Sequence, residues 1–271
     1  MPVMSVRPAA EGDMPAVRQV ARHFGLLDGW PDGGDFLDAE RRHGTLLVAS
    51  AASGQAAGFG GTLRRGDVTH LGDLFVLPGH QSSGVGRALL ARLLGGAGPR
   101  VTFASSDPRA VALYARSGLR PWCPLLYLTG GPLEVPPGPP VRTVGPDEVA
   151  SLDAAVSGGA RTETLTWYAA IPGVTVHATD AGYAFARLSG DRLTVGPAGG
   201  ITPQDCAQAV LATLTAAAPP AAQVAVPGTH PLVPVLLGAG WRIADMDTFM
   251  ADEAALAVLR PDRYIPHPDL G

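Results

Sequence analysis

Cysteine is scarce in this chain: two residues, Cys123 and Cys206, among 271. They stand far apart and form neither a metal-ligand nor a redox spacing, which excludes a disulfide scaffold and a zinc ribbon. Both are expected as small core residues. Basic runs are missing too. Lys plus Arg number 20 against 24 Asp plus Glu, a formal charge of -4 with a pI near 5.9. A nucleic-acid surface needs a basic stripe, so none is expected. No uninterrupted apolar run reaches the ~18 residues that would cross a membrane. The opening MPVMSVRPAAEGDMPAV lacks an apolar core behind a basic start, so no secretion signal is expected. The seven histidines show no HExxH or His-x-His ligand spacing. The expectation is a cytoplasmic protein without a metal.

What is present is ample core material punctuated by turns. Hydrophobic residues make up 46% of the chain and its mean hydropathy is +0.16. The 35 glycines and 26 prolines interrupt apolar segments that keep their periodicity, which marks turns and linkers rather than disorder. The densest such stretch, TGGPLEVPPGPPVR, predicts an extended spacer. It divides the chain into 1–129, a linker at 130–140, and 141–271, each flanking part being domain-sized.

The two parts share landmarks in the same order. Val6-Arg7 corresponds to Val141-Arg142, and Gly58-Phe59 to Gly182-Tyr183. Asp107-Pro108 with Gly118-Leu119-Arg120 corresponds to His230-Pro231 with Gly240-Trp241-Arg242. Such ordered self-similarity points to an internal duplication. In the first half, periodicity predicts strands at 3–7, 45–51, 57–64, 69–76, 100–104 and 125–129. Helices are predicted at 13–24, 35–42, 84–94 and 108–117. The fold class is therefore α/β, with a mixed sheet.

Chemistry concentrates in His70-Leu71-Gly72-Asp73-Leu74-Phe75-Val76, followed by Gln81-Ser82-Ser83-Gly84-Val85-Gly86-Arg87. An apolar strand enters a glycine turn and then a helix. Glycines let backbone N–H groups approach a ligand, and the helix start favours a phosphate or pyrophosphate. Arg87 adds a positive charge there. No Lys follows, so a Walker A loop is excluded, and Leu89 stands where a dinucleotide fingerprint needs its third glycine.

Gln81 to Gly86 instead resembles the Q/R-x-x-G-x-G/A turn of the GNAT acyltransferases. The apolar triplet Leu74-Phe75-Val76 before it resembles the family's splayed strand, and Leu113-Tyr114 with Gly118-Leu119 resembles its LYxxxGF ending. The resemblance spans roughly residues 3–129. It implies two tandem acyl-CoA N-acyltransferase folds, with the first binding acetyl-CoA as cosubstrate. Backbone groups of Ser82, Ser83, Gly84, Val85, Gly86 and Arg87 would cradle the pyrophosphate. Leu74, Phe75 and Val76 would line the pantetheine slot, with backbone binding and side chains packing. Tyr114 would protonate the leaving thiolate. Asp107 stands where relatives often have Asn, and reads either as a helix cap or as a CoA contact.

A base is needed on the acceptor side, and Asp73 and His70 are both candidates. Asp73-Leu74-Phe75-Val76 resembles the stretch found in diamine acetyltransferases. The two lie an odd number apart and face opposite sides of a regular strand; a bulge would change that. The second half keeps the landmarks without the chemistry. Pro203 opens its corresponding helix with no Gly-x-Gly before it, and Leu236 takes the place of Tyr114. It reads as a degenerate copy that supports the first or walls its acceptor pocket. Met246, Phe249 and Met250 read as strand core, and Arg260–Gly271 as a surface strap. The resemblance implies an N-acetyltransferase acting on a small-molecule or peptide amine, as a monomer or homodimer. The alternative is a non-catalytic acyl-CoA-binding or regulatory module.

Overall fold

The computed structural model describes residues 5–31, 34–52, 54–133 and 138–271. The first half forms β1 (Ser5–Pro8), α1 (Met14–His23), α2 (Phe36–His43), β2 (Gly44–Ser50), β3 (Ala56–Arg65) and β4 (Val68–Val76). It continues with α3 (Val85–Leu93), β5 (Arg100–Ala104), α4 (Pro108–Arg116) and β6 (Arg120–Gly130). The second half repeats the series. It has β7 (Arg142–Thr143), α5 (Pro146–Ser157), α6 (Thr162–Ala169), β8 (Val174–Ala178), β9 (Gly182–Ser189) and β10 (Arg192–Gly200). Then come α7 (Pro203–Ala217), β11 (Ala221–Pro227), α8 (Leu232–Gly238) and β12 (Arg242–Ala251). Two short elements close the chain, α9 (Glu253–Val258) and β13 (Tyr264–Ile265).

Local signals explain the helices that frame the site. In α1 the buried residues Met14, Val17, Val20 and Ala21 recur at helical spacing on one stripe. The Asp35 side chain caps α2 by accepting from the Leu37 amide at 3.1 Å. Arg18 then ties α1 to that cap, reaching Asp35 at 2.7 Å and Asp38 at 2.6 Å. Asp107 caps α4, whose first turn holds Pro108, where a missing N–H is harmless.

The described strands join one 13-stranded sheet in the order β1-β2-β3-β4-β5-β12-β6-β11-β10-β9-β8-β7, with β13 beside β10. The order reads the same from either end once β1–β6 are exchanged for β7–β12. The duplication is therefore folded about a pseudo-twofold axis through the antiparallel β6–β12 pair. Each half lends its last strand to the other. β12 enters between β5 and β6, with Phe249 opposite Phe103, and β6 lies against β11, with Leu128 opposite Val224. Residues 134–137 of the Pro/Gly linker lie outside the described residues.

An axis perpendicular to the sheet leaves corresponding helices on the same face. Accordingly α1, α2, α5 and α6 share one core, in which Val17, Phe36 and Phe59 join Leu165, Tyr168 and Phe185. The opposite face carries two separate cores, one under α3 and α4 and one under α7 and α8. Among the described residues no helix is long and apolar enough to cross a membrane. Cys123 and Cys206 are free and buried.

Two expectations need correction. Phe249 and Met250 are buried, but Met246 is half exposed, because the middle of the sheet lies between the two helix groups. The segment 260–271 is not a surface strap. Tyr264, Ile265, His267 and Leu270 are buried, because β13 pairs with β10 and the residues after it run into the shared core.

Candidate active site

The site begins with a strand that loses one neighbour. β4 pairs with β3 along its length, but with β5 only from Thr69 to Leu71. Beyond Leu71 the two strands part, leaving the outer edge of Gly72–Val76 without a strand partner among the described residues. The register steps from Thr62 opposite Leu71 to Gly61 opposite Asp73, so Gly72 is an extra, bulged residue. The bulge answers the question of facing. Leu71 and Leu74 turn into the core beneath α3 and α4, and His70 and Asp73 both turn to the other face.

The second half carries the same bulge at Gly196-Pro197, where the register jumps between Val195 and Ala198. There β13 pairs with Ala198 and Gly199. The chain's own strand thus fills the gap that stays open in the first half, and Leu236, at the place of Tyr114, is buried in the core.

On the α3–α4 face the gap opens into a cleft of about 600 Å³. Leu74, Val76, Tyr114 and the Gln81–Gly84 turn line it. Gly84 caps α3 with φ +93°, a left-handed conformation that disfavours any side chain, and Ser82 has φ +60°. No well-formed backbone acceptor meets the amides from Ser82 to Arg87 among the described residues. They are the free donors of a helix start. Gln81 braces the turn, its Nε2 donating to the Val76 carbonyl at 3.0 Å, and Ser83 Oγ donates to the His80 carbonyl at 2.5 Å.

Asp107 resolves as a cap: its Oδ1 accepts from the Arg109 amide at 2.9 Å, and Oδ2 pairs with Arg109 Nη2 at 2.7 Å. That contact with Arg109 holds its carboxyl below the usual range. Two predicted lining residues point elsewhere. Phe75 stacks on Phe59 at 5.7 Å and lies tilted against Phe24 at 5.1 Å, on the opposite face. Val85 is buried beneath α3. For these two, only backbone atoms are available to a ligand. The cleft also gathers Arg87, Arg109 and Arg116. The last two escaped the sequence reading because α4 brings them there.

Two proton-bearing groups flank the open stretch of β4, Tyr114 lining the cleft and Asp73 turned to the other face. Tyr114 is buried, and burial first, then the fields of Asp73, Asp247 and Asp107, raise its phenol above the ordinary value. It therefore keeps its proton. Across the sheet, burial and then the charge of Asp269 push Asp73 up to about 8. Its partner is Glu40 from α2, fully buried and raised well above the usual range by burial and by Asp73. Below about pH 8 each carboxyl keeps its proton, and above it the pair retains one between them, since both cannot ionise side by side. Glu40 fits only because Gly61 has no side chain: a Cβ there would overlap its carboxyl. Asp269 completes the group, accepting from Trp30 Nε1 at 2.9 Å, with burial raising it to about 6.

His70 does not line the cleft. It packs against Phe103 at 4.8 Å, and burial, with Arg65 and Arg161 nearby, lowers its pKa well below the ordinary value. The sequence reading missed Glu40 and Asp269, whose helix and tail carry no motif. Gly61 and Gly72, which leave room beside Glu40, were the available signal.

A bulged strand with one open edge, a glycine turn into a helix and a capped helix beyond it define the acyl-CoA N-acyltransferase fold, here present twice. Residues 14–119 match the model of the acetyltransferase (GNAT) family. Among solved structures, a candidate acetyltransferase from Pyrococcus horikoshii aligns with TM-score 0.77 and 16% identity, over 99% of this chain and 96% of that one. A tandem GNAT protein from the clavulanic acid biosynthesis pathway gives TM-score 0.58 and 20% identity, over 93% and 99%. A family member from Sphaerobacter thermophilus gives 0.56 and 15%, over 92% and 95%. At these identities the likeness is one of fold. No curated protein matches the chain.

Proposed function

We propose that this protein transfers an acetyl group from acetyl-CoA to the primary amine of a small-molecule or peptide acceptor by direct attack. The observation that carries the reading is the open stretch of β4 beside the glycine turn, with Tyr114 lining the cleft there and Asp73 on that stretch. Residues 1–129 form the catalytic unit, completed by β12 and the tail. The free amides of Ser82 to Arg87, with Arg87, Arg109 and Arg116, suit a pyrophosphate. The open edge of β4 offers backbone groups to an amide-bearing arm, as a neighbouring strand would.

In the transfer the amine nitrogen bonds to the acetyl carbonyl carbon and gives a proton to Asp73. The carbon–sulfur bond breaks and the thiolate takes the phenolic proton of Tyr114. A general base near pH 8 suits an amine better than an ordinary carboxylate does. The bound pair is otherwise held for attack by position alone.

Calorimetric titration with acetyl-CoA and an amine-panel assay test this. One site is expected, lost in Gly84→Asp. Tyr114→Phe should bind acetyl-CoA as the wild type does and turn over ~10²–10⁴-fold more slowly. Unchanged turnover would remove Tyr114 from the mechanism. Binding without turnover of any amine would favour the non-catalytic module.

A further inference from the structure

A second polar cleft lies on the face of Asp73, beyond the tail. It has a volume of about 370 Å³ and is bordered by Trp30, Arg187, Ser189, Arg192, Thr194 and Gln223, with His267 and Asp269 at its inner side. Arg187 is only 6% exposed, yet no carboxylate lies within 4 Å of it among the described residues. Its guanidinium sits 4.4 Å over the Trp30 ring, and Nη2 donates to the Gly29 carbonyl at 2.7 Å. Nε is buried with no hydrogen-bond acceptor of good geometry among the described residues. The contrast is Arg161, equally buried, which pairs with Asp153 at 2.9 Å. A desolvated cation facing a cleft with no carboxylate in ion-pair contact, Asp269 acting on it only from a distance, is a site arranged for one.

The strand register places the rest. Thr194 lies directly opposite Arg187, Gln223 beside Thr194, Thr129 beside Gln223, and Arg242 beside Thr129. At ~4.8 Å per strand this makes a polar row about 19 Å long across the sheet. Gln223 and Arg192 also border the adjoining trough of about 920 Å³, so the two spaces meet. Toward the reacting groups, the same Trp30 that lies under Arg187 donates to Asp269, whose charge is felt at Asp73 and Glu40.

We infer that this cleft is the acceptor subsite, and that Arg187 receives a carboxylate carried by the acceptor away from the amine that is acetylated. The inference rests on the acetyltransferase reading and names its substrate class: amino acids or short peptides rather than simple alkylamines. A monoanion fits better than a phosphate dianion. Asp28, Asp191 and Asp269 border the same space as Arg187 and Arg192, so a second negative charge would meet uncompensated carboxylates.

The test uses the full-length protein with ω-amino acids of four to eight carbons as an approximate length series, each matched by its primary amide. Calorimetry without acetyl-CoA is the first readout. The best acid should bind at least ~10-fold more tightly than its amide. Arg187→Gln should abolish that preference, and Arg187→Lys should restore part of it, with folding of each checked by thermal melting. No preference at any length, or an undiminished one in Arg187→Gln, overturns the inference. Acetyl transfer to the same series separates the two readings. Equal kcat/KM for acid and amide would leave the acetyltransferase standing without this subsite. Selective acid binding with no transfer would leave the subsite and refute the enzyme.

Discussion

Replacing Asp73 with Asn should make the protein more stable and less active, and the stability gain should depend on pH. The folded protein holds the Asp73 proton up to about pH 8, whereas the same carboxyl ordinarily ionises near 3.8. Below 3.8 both states are protonated and the substitution is neutral. Between the two values the unfolded chain is ionised and the folded one is not. Stability then falls by about 1.4 kcal/mol for every pH unit. By pH 8 the loss is on the order of 5 kcal/mol, and above it the loss is constant. Asn carries no such proton and escapes the penalty, and its amide oxygen can still accept from Glu40. Urea denaturation of wild type and Asp73→Asn at pH 4.5 and 8.5 should show little difference at the lower pH and a clear gain for the variant at the higher. In thermal melts that gain is about 10 °C for a chain of this size. Acetyl transfer should fall ~10²–10⁴-fold. Equal stability differences at both pH values would refute the buried, proton-holding carboxyl.

Three further outcomes follow from the same geometry. In Asp269→Asn the alkaline inflection of kcat/KM should move acidward from about 8, because a neighbouring negative charge that raises Asp73 is gone; an unmoved profile would remove the tail from the site's electrostatics. Gly61→Ala should lose ~1–3 kcal/mol by crowding Glu40, and Glu40→Ala should rescue it; a double-mutant cycle without coupling would argue against that contact. Ile265→Asp, which buries a charge in β13, should destabilise by at least ~3 kcal/mol and speed hydrogen exchange at Ala198 and Gly199; unchanged exchange there would mean β13 does not hold β10.

Much of the first half was legible because local rules and tertiary packing agree there. The predicted helix at 108–117 forms at Pro108–Arg116, since Asp107 supplies a cap and Pro108 a first turn. The turn from Gln81 to Arg87 was readable because glycine spacing before a helix has a physical use. His70 and Asp73 were ambiguous, since one bulged residue decides which way each points, and Gly72 alone does not announce a bulge. Glu40 and Asp269 were invisible because no local pattern links a helix, a strand and a distant tail. Arg187 looked like one more strand arginine; only its burial without an ion pair among the described residues sets it apart. The Pro-rich stretch reads as a boundary in the sequence, but the exchange of β6 and β12 was not legible, because strand order depends on long-range pairing that periodicity does not encode.

That exchange also fixes when the site can come into being during synthesis. A ribosome that has released α4 and β6 has made every residue of the glycine turn and Tyr114, yet the place beside β5 is empty until Arg242–Ala251 emerges. Asp269 arrives later still. The growing chain therefore carries an unfinished site through the whole translation of its second half, and the duplicate, without a glycine turn of its own, acts as the timer that decides when the first copy is complete.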